Sequence, residues 1–218
     1  MTHCSIRSTR STLLAAALLA ATLPALQGCF PIVAAGAGAS VLMITDRRPS
    51  ETYLADEAIE IRTMLRLNER LGDKVHINVT SYNMKVLLTG EAPDAAAKDE
   101  AEKIAAGVVN VKGVMNEIQV VGSSSFGSRS NDTYITSKVK ARFIEADKFR
   151  ATHVKVVTEA TVVYLLGVVT RQEADDATEI TRTTSGVRKV VRMFEYIDDA
   201  EARRLDNKPA NPAADKTK

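Results

Sequence analysis

Few residues in this chain could do covalent or ionic chemistry. The cysteines are Cys4 and Cys29, the histidines His3, His76 and His153, and the carboxylates gather mainly in two stretches. A thiolate is a nucleophile and metal ligand, an imidazole carries protons or binds metal, and paired carboxylates serve acid–base catalysis. Cys29 has the most distinctive place. It ends Leu26-Gln27-Gly28-Cys29, after the uncharged, Leu- and Ala-rich run 11–26, which Arg7 and Arg10 precede. That is the order of the n-region and h-region in a secretory signal. The run is shorter than the about 20 apolar residues of a transmembrane helix.

The other candidates do not converge on a catalytic set. Asp94, Asp99, Glu100 and Glu102 fall on one predicted helix and Glu173, Asp175, Asp176 and Glu179 on another, both reading as solvated faces. His76 and His153 stand at equivalent strand starts, where a structural role is expected, and two histidines make a metal site only if carboxylates complete it. Gly36 and Gly38 lack the third glycine and the preceding strand of a dinucleotide fingerprint. No serine elbow marks a nucleophile. The expectation is a protein that is not an enzyme, with no cofactor, no metal and no small-molecule substrate.

Leu26-Gln27-Gly28-Cys29 at the end of such a run resembles the lipobox of bacterial lipoproteins. The resemblance implies that Cys29 becomes the acylated first residue of the mature chain, carrying a diacylglyceryl thioether. Phe30 behind it implies the outer membrane, since the inner-membrane retention signal resembles Asp at that place. The plain alternative is an ordinary cleaved signal with an incidental cysteine. Removing residues 1–28 leaves 190 and takes away Arg7 and Arg10, so 29 basic and 27 acidic residues become 27 of each. A neutral chain has no general electrostatic claim on nucleic acid. With Cys4 lost and Cys29 in thioether linkage, no thiol remains for a disulfide, a zinc site or catalysis.

The elements behind this leader come twice. Asp56-x-x-Ile59 answers Asp132-x-x-Ile135, His76-Ile77-x-Val79 answers His153-Val154-x-Val156, and Val86-x-Leu88-x-Gly90 answers Val163-x-Leu165-x-Gly167. Ala101-x-x-Ile104 and Val111-x-x-Val114 likewise answer Ala177-x-x-Ile180 and Val187-x-x-Val190, at an offset of 76 or 77 throughout. A fixed offset of this kind is the mark of a duplicated unit. Each unit opens with a helix whose apolar positions recur at about four-residue spacing: Ile59, Thr63 and Leu67, then Ile135, Val139 and Phe143. Two strands follow, over 76–80 and 84–89 and over 153–157 and 161–166, then helices over 93–106 and 171–183, and third strands over 114–121 and 190–197. The order αββαβ predicts a parallel pair between second and third strands, and so a mixed three-stranded sheet packed by two helices. Asn131 or Asp132 is expected to cap the helix that follows.

The predicted organisation is a signal over 1–28, a lipidated N-terminus and tether over 29–55, one unit over 56–121, a Gly/Ser linker over 122–131, a second unit over 132–198 and a disordered tail over 199–218. Units of about 65 residues are marginal alone, so the two are expected to pack together.

The spacing within each unit, with His76-Ile77-Asn78-Val79-Thr80, Asn116-Glu117-Ile118 and the stretch 131–139 as its most specific parts, resembles the BON domain of bacterial envelope proteins. Two such domains behind a lipobox imply an α+β outer-membrane lipoprotein facing the periplasm. They also imply that the first helix of the second domain touches anionic phospholipid. Family members can carry Trp where this chain has Tyr134.

The residues of that helix suit the role. With Ile135, Val139 and Phe143 buried, Tyr134, Ser137, Ala141 and Ile144 share an arc about 80° wide away from the core, with Lys138 on its border. Lys138, Lys140 and Arg142 flank it. Apolar groups would enter the acyl boundary while cations meet headgroups. Residues 56–121 hold 8 basic and 11 acidic residues and 132–198 hold 11 and 10, so the second unit is the better partner for an anionic surface. Two other readings stay open: Tyr134 and Ile144 pack against the first domain, or the face binds another envelope protein.

Overall fold

The computed structural model describes residues 46–72, 75–121 and 126–207. The signal run, Cys29, the stretch to residue 45 and the end from residue 208 lie outside the described residues.

Helix α1 (Ser50–Leu71) begins inside the stretch expected to be a tether, and Thr52, Asp56, Ile59, Thr63 and Leu67 form its buried side. The buried spacing thus starts one turn before Asp56, at a threonine whose polarity hid it. Strands β1 (His76–Tyr82) and β2 (Lys85–Ala92) pair antiparallel. Helix α2 (Ala95–Ala106) is N-capped by Asp94, whose carboxylate accepts from the Ala97 N–H at 2.8 Å. Pro93 therefore precedes the cap instead of standing in the first helical turn. The third strand is broken into β3 (Gly113–Asn116) and β4 (Gln119–Val120), both parallel to β2.

The second half repeats the order. Helix α3 (Phe126–Ala146) takes in part of the expected linker, and a short 3-10 turn (Ala151–His153) leads into β5 (Val154–Glu159). Strands β5 and β6 (Val162–Val169) are antiparallel, and β6 and β7 (Lys189–Tyr196) are parallel. Between them α4 (Arg171–Arg182) opens with a capping box of Thr170 and Glu173. Both halves are αββαβ units with mixed sheets, as the duplicated spacing predicts.

Two details of the repeat have physical causes that spacing alone did not disclose. The hairpin turns place Asn83 and Met84 at φ 52° and 64°, and Ala160 and Thr161 at 47° and 62°. Two such residues in succession make the turn whose twist suits a tight hairpin. Asp56 accepts from the N–H groups of Asn83 at 2.9 Å and Met84 at 2.7 Å, and Asp132 from those of Ala160 and Thr161 at 2.9 Å each. The expectation that Asp132 caps its own helix is therefore corrected. It lies inside α3, buried, and fastens the hairpin of the neighbouring strands. The paired glycines answer a steric demand, since a Cβ on Gly90 would collide with the His76 carbonyl and one on Gly167 would stand 2.5 Å from the His153 carbonyl oxygen.

Each unit has its own core between sheet and helices, built around Ile59, Leu67, Val86 and Leu88 in the first and Ile135, Val139, Phe143 and Leu165 in the second. A third core joins the sheets. Tyr82 and Leu87 of the first meet Val162, Tyr164, Leu166 and Val168 of the second. Alternate residues of β2 and β6 thus face helices or the opposite sheet, which is why both strands read as unbroken apolar runs.

The chain beyond Asp198, expected to be disordered, forms α5 (Asp199–Asp206). Asp198 caps it through the Glu201 N–H at 2.8 Å, and Leu205 packs on the inter-sheet core. Leu205, the buried Ala202, the cap and the bonds of Arg47 to Asp206 at 2.8 and 3.0 Å hold a segment whose composition looked solvated.

Candidate functional site

On α3 the helical period sorts the side chains as expected: Ile135, Val139 and Phe143 are fully buried, while Tyr134 is 62% and Ile144 70% exposed. Ser137 and Ala141 are exposed between them. Tyr134 and Ile144 therefore do not pack into the first domain, whose contact with the second runs through the inter-sheet core. Ile144 stands instead at the rim of a cleft of about 360 Å³ between α1 and α3, with Tyr53, Glu57, Tyr82, Lys140 and Val154 among its lining.

The flanking cations are less free than their sequence positions suggest. Arg142 donates to the Ile180 carbonyl at 2.7 Å and to the Thr183 and Thr184 hydroxyls at 3.1 and 2.7 Å, closing the C-terminus of α4. A cation there meets orphan carbonyls and the negative end of the helix dipole. Lys138 donates to the Ser185 carbonyl and hydroxyl at 2.5 and 3.0 Å, with its ammonium 4.6 Å from the Tyr134 ring centre. Lys140 is exposed and has no partner among the described residues. Of the three, it alone points its charge at solvent. Lys140 also lines a second, polar groove with His76, Arg129, Thr133 and Ser137.

A cluster that sequence reading missed is centred on Arg47, next in the chain to the cleft residue Arg48. Arg47, 6% exposed, donates to Glu173 at 2.6 and 2.9 Å, to Asp206 at 2.8 and 3.0 Å, and to the Val168 carbonyl at 3.1 Å. His153, 2% exposed, has Nε2 3.5 Å from Asp206 and Nδ1 3.7 Å from Glu173. Burial would push the Glu173 carboxyl up, but His153 and the paired Arg47 donors overcome it and hold the group well below the ordinary carboxylate range. Asp206 is lowered by its hydrogen bond to Arg47. Glu173 is thus no solvated surface acid, as its helix position suggested. Next in the chain, Arg48 pairs with Asp46 and Asp56 at 2.6 Å each and lies 3.9 Å over the Tyr82 ring. Adjacent arginines therefore bind different domains. The one signal in the sequence was a pair of charges just ahead of Pro49 and the first helix. Among the described residues no group of three or more His, Cys, Asp or Glu could hold a metal ion.

The model of the BON domain matches residues 57–122 and again 131–198. The chain belongs to the BON-domain family. Its curated relatives in this family include the outer membrane lipoprotein DolP of Haemophilus influenzae, 37% identical over 84% of this chain and 95% of that protein. The 21 kDa hemolysin of Actinobacillus pleuropneumoniae is 36% identical over 70% of this chain and 79% of its own length. Osmotically-inducible protein Y of Escherichia coli is 32% identical over 63% and 71%. Likeness to DolP along nearly the whole of that protein places this BON-domain chain among the lipoproteins of the bacterial outer membrane.

Proposed function

We propose that this lipoprotein is anchored through Cys29 and binds anionic phospholipid, without catalysis, through the outer face of α3. Tyr134, Ser137, Ala141 and Ile144 form the contact, and Lys138 borders it. One observation carries the reading: two large side chains, Tyr134 and Ile144, stand 62% and 70% in water on the face opposite a complete core. Lys140 adds a free cation beside them, and the Lys138 ammonium lies over the Tyr134 ring, 4.6 Å from its centre. Likeness to an outer membrane lipoprotein supports a membrane as the surface within reach. Each cation near an anionic surface contributes about 1 kcal/mol, so the helix selects a lipid composition while the acyl anchor supplies residence on the membrane.

The test is cosedimentation of the chain from Asp46 onward with neutral and with anionic liposomes, at low and high salt. Binding should need anionic lipid, weaken with salt and disappear in Tyr134→Glu and Ile144→Glu. If both variants bind as the parent does, or the parent ignores both liposomes, the lipid reading fails. The same exposed face would then fit the alternative, an adaptor that meets another envelope protein.

A further inference from the structure

Helix α1 carries a larger apolar face that neither the fold nor the α3 contact uses. Leu54, Ile61 and Leu65 are 61, 58 and 61% exposed, and Met64 is 45% exposed. They lie opposite the buried side of Ile59, Thr63 and Leu67, and half-buried Ala58 completes the row Leu54, Ala58, Ile61, Leu65. Its intervals of four, three and four residues are those of a heptad seam, with Ala58 and Leu65 at a and Leu54 and Ile61 at d. Contiguous apolar rows of this kind mark interaction sites.

The neighbouring charges decide what the row fits. Glu51, Glu57 and Glu69 border it against one exposed cation, Arg62, while Arg66 is turned to the Gly107 carbonyl at 2.9 Å. Such a face repels an anionic membrane. In the heptad register Glu57 is at g and Arg62 at e. In a parallel pair of identical helices, g of one chain meets e of the next heptad of the other. Glu57 then meets Arg62 of the second copy, and the two-fold axis repeats the pair. In an antiparallel pair of the same row Leu54 lies against Leu65 and Ala58 against Ile61, e faces e, and Arg62 comes beside Ala55, so the Glu57–Arg62 pair is not made. Neither residue has an ion-pair partner among the described residues.

We infer that α1 is the seam of a parallel homodimer, in which a second copy of this chain docks along Leu54, Ala58, Ile61 and Leu65. A parallel pair puts both helix starts, and both leading segments, at the same end. That arrangement suits two copies anchored in one membrane. A seam of about two heptads is short, so pairing is weak in dilute solution and gains from confinement to a surface, which raises effective concentration. The seam does not depend on the lipid contact of α3, and failure of one leaves the other standing.

The test uses the full chain displayed on the outer membrane of a bacterial host and oxidised in place. Leu54→Cys faces its own counterpart across a parallel seam but Leu65 across an antiparallel one. It should form disulfide dimers about tenfold faster than Lys112→Cys, an exposed site ahead of β3, because only the seam holds its thiols together. Adding Ile61→Glu should bring the rate down to that of Lys112→Cys. Arg62→Glu should slow the reaction severalfold, and Glu57→Arg placed with it should restore the rate. Equal rates for Leu54→Cys and Lys112→Cys, with both thiols open to maleimide, overturn the seam. Cross-linking at Leu54→Cys that ignores Arg62→Glu overturns the parallel register.

Discussion

The guanidinium of Arg47 lies 2.6 Å from the Glu173 carboxylate, across 126 residues of chain. The same group reaches Asp206, 159 residues away, at 2.8 Å. It ties the approach to the first domain into the second helix of the second domain and into the C-terminal helix. Arg47→Ala would leave two carboxylates facing each other with little solvent. Breaking a buried pair costs about 3–5 kcal/mol, and partial exposure of both acids reduces that to about 2–3 kcal/mol. Urea unfolding should show this as a lower midpoint. A change within about 0.5 kcal/mol would mean that the cluster is not structural.

Acid should act through the same cluster. Glu173 and Asp206 have folded-state pKa values below their unfolded ones. Their stabilisation is present above the unfolded values, near about pH 4, and is lost as pH falls through the folded values. Unfolding free energy should therefore decline steeply on the acid side of pH 4, with a shallower slope in Glu173→Gln. Parallel slopes would exclude Glu173 from the acid transition.

Glu159 works in the other direction. Burial raises its folded pKa above the ordinary value, although Asn78 donates to it at 2.8 Å. A raised group favours the fold below the unfolded pKa and loses that contribution as pH rises through the folded value. Glu159→Gln, whose amide oxygen can still accept from Asn78, should be at least as stable as the parent at neutral pH. A drop in melting temperature at pH 7.5 would show that the charge itself is needed.

The glycines give a paired prediction. Gly90 has φ +112° and no room for a Cβ, whereas Gly72 has φ +59° and nothing within 4 Å. Gly72, with ψ −149°, lies in a region that is essentially glycine's alone, and Gly72→Ala should cost about 1–3 kcal/mol from conformation alone. Gly90→Ala must also move the His76 carbonyl out of the β1–β2 ladder, and should cost more than about 3 kcal/mol. Comparable losses for the two would mean that β1 shifts freely.

The hairpin clamp is testable at Asp132. Asp132→Ala removes the acceptor for two N–H groups in a turn already held at positive φ. Unsatisfied buried donors cost about 1–3 kcal/mol. Hydrogen exchange should speed up at Ala160 and Thr161 ahead of the rest of β5 and β6. Uniform acceleration instead would make the clamp part of the global core.

What could be read from the sequence was whatever repeats at short range. The duplicated spacing gave the element order, and the period of α3 separated Ile135, Val139 and Phe143 from Tyr134 and Ile144. Long polar side chains escaped that reading. A helical wheel places Arg142 and Lys138 on the flanks of the face, but their charged ends reach the last turn of α4 and Ser185, which are near only once the fold has closed. Arg47 escaped for the same reason at greater range. The row on α1 was hidden by its acidic neighbours and by a helix start placed at Asp56, which left Leu54 outside the element. Helix α5 was lost to composition, since its hold on the body rests mainly on Leu205 and Asp206.

Because Arg47 precedes the first domain but is bonded to the second, tension arriving along the leading segment does not have to cross α1 and the first sheet to reach α4. It enters the second domain at Glu173 and, through Asp206, the last helix. Arg48 delivers the remainder to Asp56, the clamp of the first hairpin. A pull from a membrane anchor would thus be shared between both halves in parallel, shearing neither sheet against the other. The pair of arginines acts as a collar that takes up the pull, and the first strands to feel force would be those nearest it, not those nearest the N-terminus.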